Sequence, residues 1–238
     1  MTEDVSDKLW TALGSAAHRL FEDSGDEQHL TEERLYLDID GWTISGAIDV
    51  QRIHSDGSVA VLDYKMTSTY SVSRGIKPEW EKQLNCYGAL VRRVKGVRVT
   101  ALKVVAIFRD WKSRDAENPD YPQAPIAEID IPMWDDATQD AYLEARVKLH
   151  QDSEFKRLTG EEVPDCSPEE TWNRPDKFAV IKTGGARAIK VFDTEHEARA
   201  ALKPGQEIEH RMGDSIRCEG NWCGVRDYCT QYKGNNSI

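Results

Sequence analysis

The chain has no run approaching the roughly 20 apolar residues that a membrane-spanning helix needs, so no membrane partner is expected. It also lacks a positive balance. Against 42 Asp+Glu stand 31 Lys+Arg, for a formal net charge of -11, which argues against a basic protein that coats nucleic acid non-specifically. Residues 1–8 are polar and acidic, without the basic start and apolar stretch of a secretory signal, so a cytoplasmic setting is expected. There is no internal repeat, no low-complexity tract and no G-x-x-x-x-G-K-[ST] run, so a nucleotide-driven motor would have to be another protein. Cysteine is scarce and odd in number, five residues, which points to a reducing compartment rather than a disulfide framework.

What is present describes a folded chain. A length of 238 residues suits one domain with an appendage and can bury a real core. Hydrophobic residues make up 39%, with turn residues between them, which excludes full disorder. On composition alone, an enzyme with a small-molecule substrate is the first expectation.

The patterning predicts a first helix over residues 6–23, with Leu9, Leu13, Ala16, Ala17, Leu20 and Phe21 at helical spacing. Leu35, Leu37 and Ile39 alternate with polar residues as in a strand, and Asp40-Gly41 signals a hairpin into a second strand over 42–53. A turn at Ser55-Asp56-Gly57-Ser58 leads to a third strand over 59–65. A polar loop over 66–78 precedes a helix over 79–93, and a strand is expected over 97–108. A proline-rich loop over 109–125, a short strand over 126–131 and a long helix over 134–157 follow. Beyond Gly160 come a hairpin around Thr183-Gly184-Gly185-Ala186, a short helix over 194–202 and a last strand near Ile208. The expected division is a core over residues 1–160 and a small α/β appendage over 161–238.

Four places carry chemistry. In Val61-Leu62-Asp63-Tyr64-Lys65, Asp63 and Lys65 share one face of a strand. In the preceding strand Asp49 stands between Ile48 and Val50, and a hairpin around Asp56-Gly57 brings Asp49 and Asp63 together. Two converging carboxylates suit Mg²⁺ or Mn²⁺, hard cations that prefer oxygen. A nearby lysine can orient a water or neutralise developing charge. Taken alone, Asp-x-Lys is a weak signal and reads first as an exposed ion pair at a strand end. Gln83 and Tyr87 lie one helical turn apart on one face. His18 sits beside the small residues Gly14, Ser15, Ala16 and Ala17 on the first helix. The fourth place is Cys218, Cys223 and Cys229, whose clustering suggests metal ligation, although neither gap is the two residues of a zinc finger. Cys86, mid-helix, reads as a small buried hydrophobe.

In chain order, Gly14-Ser15-x-x-His18, Gly46-Ala47-Ile48-Asp49, Val61-Leu62-Asp63-Tyr64-Lys65 and Gln83-x-x-x-Tyr87 resemble the RecB-type branch of the PD-(D/E)xK nuclease family, over a core of about residues 10 to 110. The resemblance implies a restriction-endonuclease-like α/β fold, a mixed central sheet flanked by helices. It implies a metal-dependent deoxyribonuclease, with DNA exonuclease or end-processing activity in phage or bacterial recombination or repair. His18, Asp49, Asp63 and the Tyr64 carbonyl would then bind Mg²⁺ or Mn²⁺; Lys65 would act on the attacking water; Gln83 and Tyr87 would order the site and the DNA end. The resemblance also implies a four-cysteine [4Fe–4S] cluster, as in AddB-like and CRISPR-associated members, with Zn²⁺ as the alternative. Here the sequence departs from the family: no cysteine precedes Cys86, so Cys166 would be the fourth ligand with Cys218, Cys223 and Cys229, and four residues separate Cys218 from Cys223. The expected partner is DNA with a free end, including single strands, and beyond it a single-strand annealing protein or a helicase. The alternatives are a non-catalytic DNA-end-binding or scaffolding protein and a restriction-type endonuclease.

Basic residues gather locally despite the acidic balance: Arg92, Arg93, Lys95 and Arg98 in one group, Arg74, Lys77 and Lys82 with Tyr70 and Trp80 in a second, and Arg109, Lys112 and Arg114 in a third. Such groups suggest phosphate contacts and a stacked base, against the plain reading of a solvated surface.

Overall fold

The computed structural model describes residues 28–73 and 75–235. The helix expected over 6–23, with His18, and also Arg74, lie outside the described residues. The chain divides into two compact units, at Asp152/Ser153.

The first unit is a five-stranded mixed sheet in the order β1-β2-β3-β4-β5. Strand β1 (His29–Ile39) turns through Asp40 and Gly41 into β2 (Trp42–Ile53), and both turn residues adopt positive φ, 51° and 77°. That is the conformation a two-residue primed hairpin demands, which explains the Asp-Gly pair. β2 runs antiparallel to β3 (Val59–Thr67), and β3 runs parallel to β4 (Val99–Phe108). A parallel pair needs a crossover, and α2 (Pro78–Lys95) supplies it. Pro78 opens α2, and Gly96 closes it at φ 68°, its N–H donating to the Arg92 carbonyl. β5 (Ile126–Ile131) closes the sheet antiparallel to β4, and α3 (Asp136–Thr159) follows.

The core lies mainly between the sheet and α2. Leu35, Ile48, Val61, Leu102 and Val104 from the strands pack with Leu84, Leu90 and Val91 from the helix. Ala89 of α2 packs with Ile39, Leu143 and Val147, which brings in α3. A smaller cluster of Val50, Ala60, Leu62 and Val105 occupies the other sheet face.

Two expectations are corrected here. The loop expected over 66–78 contains the end of β3 and a short helix, α1 (Thr69–Ser73). Its first amide is held from outside the segment: Asp110 Oδ1 accepts from Thr69 N at 2.8 Å. The long helix starts at Asp136 rather than at Trp134, because Asp135 Oδ1 accepts from Thr138 N at 2.7 Å and so caps it.

The second unit holds β6 (Asn173–Arg174), β7 (Lys177–Lys182), β8 (Ala188–Phe192), α4 (Glu195–Ala201), β9 (Gln206–Arg211), β10 (Asp214–Ser215), α5 (Ile216–Glu219) and α6 (Thr230–Asn235). β8-β7-β9 form an antiparallel sheet, and β10 pairs with β6. Thr194 and Glu197 make a reciprocal capping box at the start of α4. No helix among the described residues is long and apolar enough to cross a membrane.

Candidate active site

Strand register decides the first contact. β2 and β3 pair Ile53 with Val59 and Val50 with Leu62, a register that sets Asp49 opposite Asp63. The alternation of faces breaks at Asp49, since Ile48 joins the core under α2 while Val50 joins the opposite cluster. The β1 register places Glu32 across from this point, and Glu32 adopts φ 52°. Asp49 is buried, and its Oδ2 accepts from the backbone N of Tyr64 at 2.8 Å.

Asp63 is 1% exposed. The Lys65 ammonium lies 2.6 Å from its Oδ2, as two residues of spacing on one strand face require. Gln83 Nε2 donates to Asp63 Oδ1 at 3.2 Å and to the Tyr87 hydroxyl at 3.0 Å. The one-turn spacing of Gln83 and Tyr87 on α2 places both within reach of β3. A cation on one oxygen and an amide on the other fix the Asp63 carboxylate plane. Burial raises the Tyr87 phenol, and the charges of Asp63 and Asp49 add to it against the opposing Gln83 bond, so Tyr87 stays a neutral hydroxyl.

Gly46 makes this packing feasible. A Cβ at that position would lie 2.8 Å from Leu90 Cδ1 and 2.9 Å from Tyr87 Cε1. The glycine lets the Tyr87 ring close onto β2.

The structure thus brings together Asp49, Asp63, Lys65, Gln83 and Tyr87, and the Tyr64 backbone sits between the two carboxylates. His18 lies outside the described residues. Two buried carboxylates on adjacent strands are hard oxygen donors that fit a divalent cation. They are a partial set: among the described residues no group of three or more His, Cys, Asp or Glu could hold a metal ion.

Sequence reading missed Asn85. It is fully buried on α2, and its amide is saturated. Nδ2 donates to the carbonyls of Glu81 and Pro132, both at 2.9 Å; Oδ1 accepts from Trp134 N at 2.8 Å and Gln139 Nε2 at 3.1 Å. The signal available was an amide between Leu84 and Cys86, inside the mostly apolar stretch 84–91 of the helix.

The basic groups come out differently from expectation. Arg92 pairs with Asp136 and Asp140, Arg93 with Asp140, Lys95 with Glu33 and Arg98 with Asp56. That group is spent on internal ion pairs. Trp80 is buried in the core, with Lys77 above its ring at 5.0 Å, and does not offer a face to a base. Tyr70 is exposed, and Lys112 and Arg114 are exposed on the loop after β4.

In the second unit all five cysteines of the chain but Cys86 are found, and all five are free thiols. Burial raises the Cys166 thiol, and the nearby Glu170, Cys229, Cys218 and Cys223 raise it further. Burial likewise raises Cys218, with Cys223 and Cys229 adding to it. Among the described residues these thiols form no group of three or more that could hold a metal ion. Gln231 ties Cys166 to α6, accepting from its N and donating to its carbonyl, both at 3.0 Å.

The profile of the PD-(D/E)XK nuclease superfamily matches residues 3–230, and the chain belongs to that superfamily. That superfamily is one of nucleases, hydrolases that generally use divalent metal ions such as Mg²⁺. Among solved structures, one described as the crystal structure of SSO0001 is similar, at 20% identity and a TM-score of 0.41. The similarity covers 59% of this chain and 61% of that one. No curated protein matches the chain.

Proposed function

We propose that the chain is a metal-dependent deoxyribonuclease of the RecB type that hydrolyses phosphodiester bonds at DNA ends. The observation that carries this reading is the Asp63 carboxylate, buried and held between Lys65 and Gln83, with Asp49 opposite on the neighbouring strand. Burying two carboxylates at one point is costly without a cationic partner.

Asp49 and Asp63 would hold Mg²⁺ or Mn²⁺, with His18 and the Tyr64 carbonyl completing the set. The bound ion supplies Lewis acidity toward the phosphate and a more acidic water. The Lys65 ammonium stands beside Asp63, where it can orient the attacking water and offset charge that develops on the phosphate. Gln83 holds Asp63 in one orientation, and Tyr87 presents a neutral hydroxyl beside it. Residues 1–160 would form the nuclease core and residues 161–238 a cysteine-bearing appendage.

The resemblance to RecB-type proteins is what supports a [4Fe–4S] cluster on Cys166, Cys218, Cys223 and Cys229, with Zn²⁺ as the competing occupant. Resemblance to RecB-type proteins extends the reading to recombination or repair in a bacterial or phage-infected cell, beside a helicase or a single-strand annealing protein.

The test is digestion of 5′- and 3′-labelled single- and double-stranded linear DNA with Mg²⁺ or Mn²⁺, alongside closed circles. Release of nucleotides from linear DNA is expected. Cleavage of circles would assign a restriction-type endonuclease, and binding of ends without cleavage a non-catalytic protein. Anaerobic purification should give brown protein with bound iron; colourless protein with stoichiometric zinc would replace the cluster.

A further inference from the structure

Arg92, Arg93, Lys95 and Arg98 of the first unit are committed to carboxylates, which turns attention to cations elsewhere that are not. The turn end of the β8-β7-β9 sheet supplies one. β7 ends at Lys182, and β8 resumes at Ala188, which pairs with Ile181 and sets Arg187 across from Lys182. On the other side Lys182 pairs with Gln206 of β9. The turn before β9 is fastened there: Thr183 N donates to the Gly205 carbonyl at 3.1 Å, and Lys203 N donates to Gln206 Oε1 at 3.1 Å. Lys182, Arg187 and Lys203 thus stand one beside each strand end. All three are exposed, and none forms an ion pair with a described residue. The carboxylate at the tip is Glu207, whose Oε1 accepts from Gly184 N at 3.1 Å. Between the cations the tip is Thr183-Gly184-Gly185-Ala186, with Gly184 at φ 73° and no bulky side chain to keep a polymer away.

Three exposed cations against one carboxylate, in a chain of net charge -11, make a local positive point on an acidic protein. We propose that this hairpin tip is a phosphate-backbone contact for the nucleic acid that the protein handles. The inference rests on the nuclease reading for the identity of the polyanion, and only on the second unit for its geometry. Contacts of this kind position a strand and carry no sequence preference.

The test uses the full chain in EDTA, so that binding is read without turnover. Affinity for labelled 30-nucleotide single strands and 30-base-pair duplexes is measured across a salt series for wild type and for K182A/R187A/K203A. Loss of three phosphate contacts should reduce the slope of log K against log[salt] by about 2.7 on duplex and about 2.1 on single strands. Thermal melting should be unchanged, since the three side chains are exposed and unpaired. Arg187→Lys, which keeps the charge, should retain the wild-type slope. With Mg²⁺ and linear DNA, the triple variant should show a raised KM and a lowered kcat/KM. An unchanged salt slope overturns the inference, and intact cleavage in the same preparation then leaves the nuclease reading standing. A reduced slope in a protein that cleaves nothing upholds the tip and removes the nuclease reading. Polyglutamate competing as well as DNA at equal charge would overturn the assignment to phosphate.

Discussion

Asp49 reaches across from β2 so that its Oδ2 accepts the backbone amide of Tyr64 on β3, at 2.8 Å. One buried carboxylate thereby fastens the two strands beside Asp63. Architecture and charge meet in this residue, and substitution can separate them. Asp49→Asn keeps an oxygen that can accept from Tyr64 N, so the melting temperature should hold while cleavage is lost. Asp49→Ala should lose cleavage and also about 1–3 kcal/mol of stability, because the Tyr64 amide is left unsatisfied. Urea unfolding and a cleavage assay on the two variants distinguish these outcomes.

Lys65→Ala should abolish cleavage and destabilise the protein in the absence of metal. Asp63 would keep its carboxylate 2% exposed and lose the Lys65 ammonium. Breaking a fully buried pair costs about 3–5 kcal/mol, and the cost here should be smaller because Lys65 keeps part of its side chain in water. Chemical denaturation in EDTA, compared with wild type, reads the loss.

Gly46→Ala should weaken both packing and activity. The added methyl meets Leu90 and Tyr87 at distances no carbon tolerates, so the Tyr87 ring must move off β2. Overpacking of this kind costs about 1–3 kcal/mol. Cleavage should fall with it, because Tyr87 shares Gln83 with Asp63. Gly88→Ala is the milder control, since its Cβ would meet its neighbours at 3.3 Å.

Cys86 should resist alkylation in the native protein. Burial pushes its thiol up to about 11 from 9.0. At pH 8 the thiolate fraction, and with it the rate of reaction with iodoacetamide, should be about 100-fold below that of an unperturbed thiol, and unfolding in urea should remove the protection. The same shift carries a stability sign. The raised folded value favours the neutral thiol, so its contribution is fully present below pH 9 and is lost as pH rises from about 9 through about 11.

Asn85→Ala should destabilise the protein by about 2–4 kcal/mol, because it strips partners from Pro132, Trp134 and Gln139 at once in a buried place. A shift in the urea midpoint without a change in the slope of the transition is the expected observation.

Much of this was local and therefore legible in the amino-acid order. The Asp40-Gly41 turn and the bounds of β2 and β5 follow from turn chemistry and from hydrophobic period, and the α2 start at Pro78 lies one residue before the expected one. The spacing of Asp63 with Lys65, and of Gln83 with Tyr87, already fixed which pairs share a face. Other features depend on partners far away in the chain. α1 takes its first amide bond from Asp110, and the long helix cannot include Trp134 because Asn85 and Glu81 hold that residue. Lysine and arginine look alike in a sequence whether they face phosphate or an internal acid. Only the fold showed Arg92, Arg93, Lys95 and Arg98 tied to carboxylates brought in from β1, α3 and the β2–β3 turn. The sequence by itself determined the candidate residues of the site and the order of the elements that carry them, because helix and strand periods are local. The tertiary structure decided that Asp49 faces Asp63, that Gly46 admits Tyr87 and which cations remain free, because register, close approach and ion pairing exist only between segments distant in sequence.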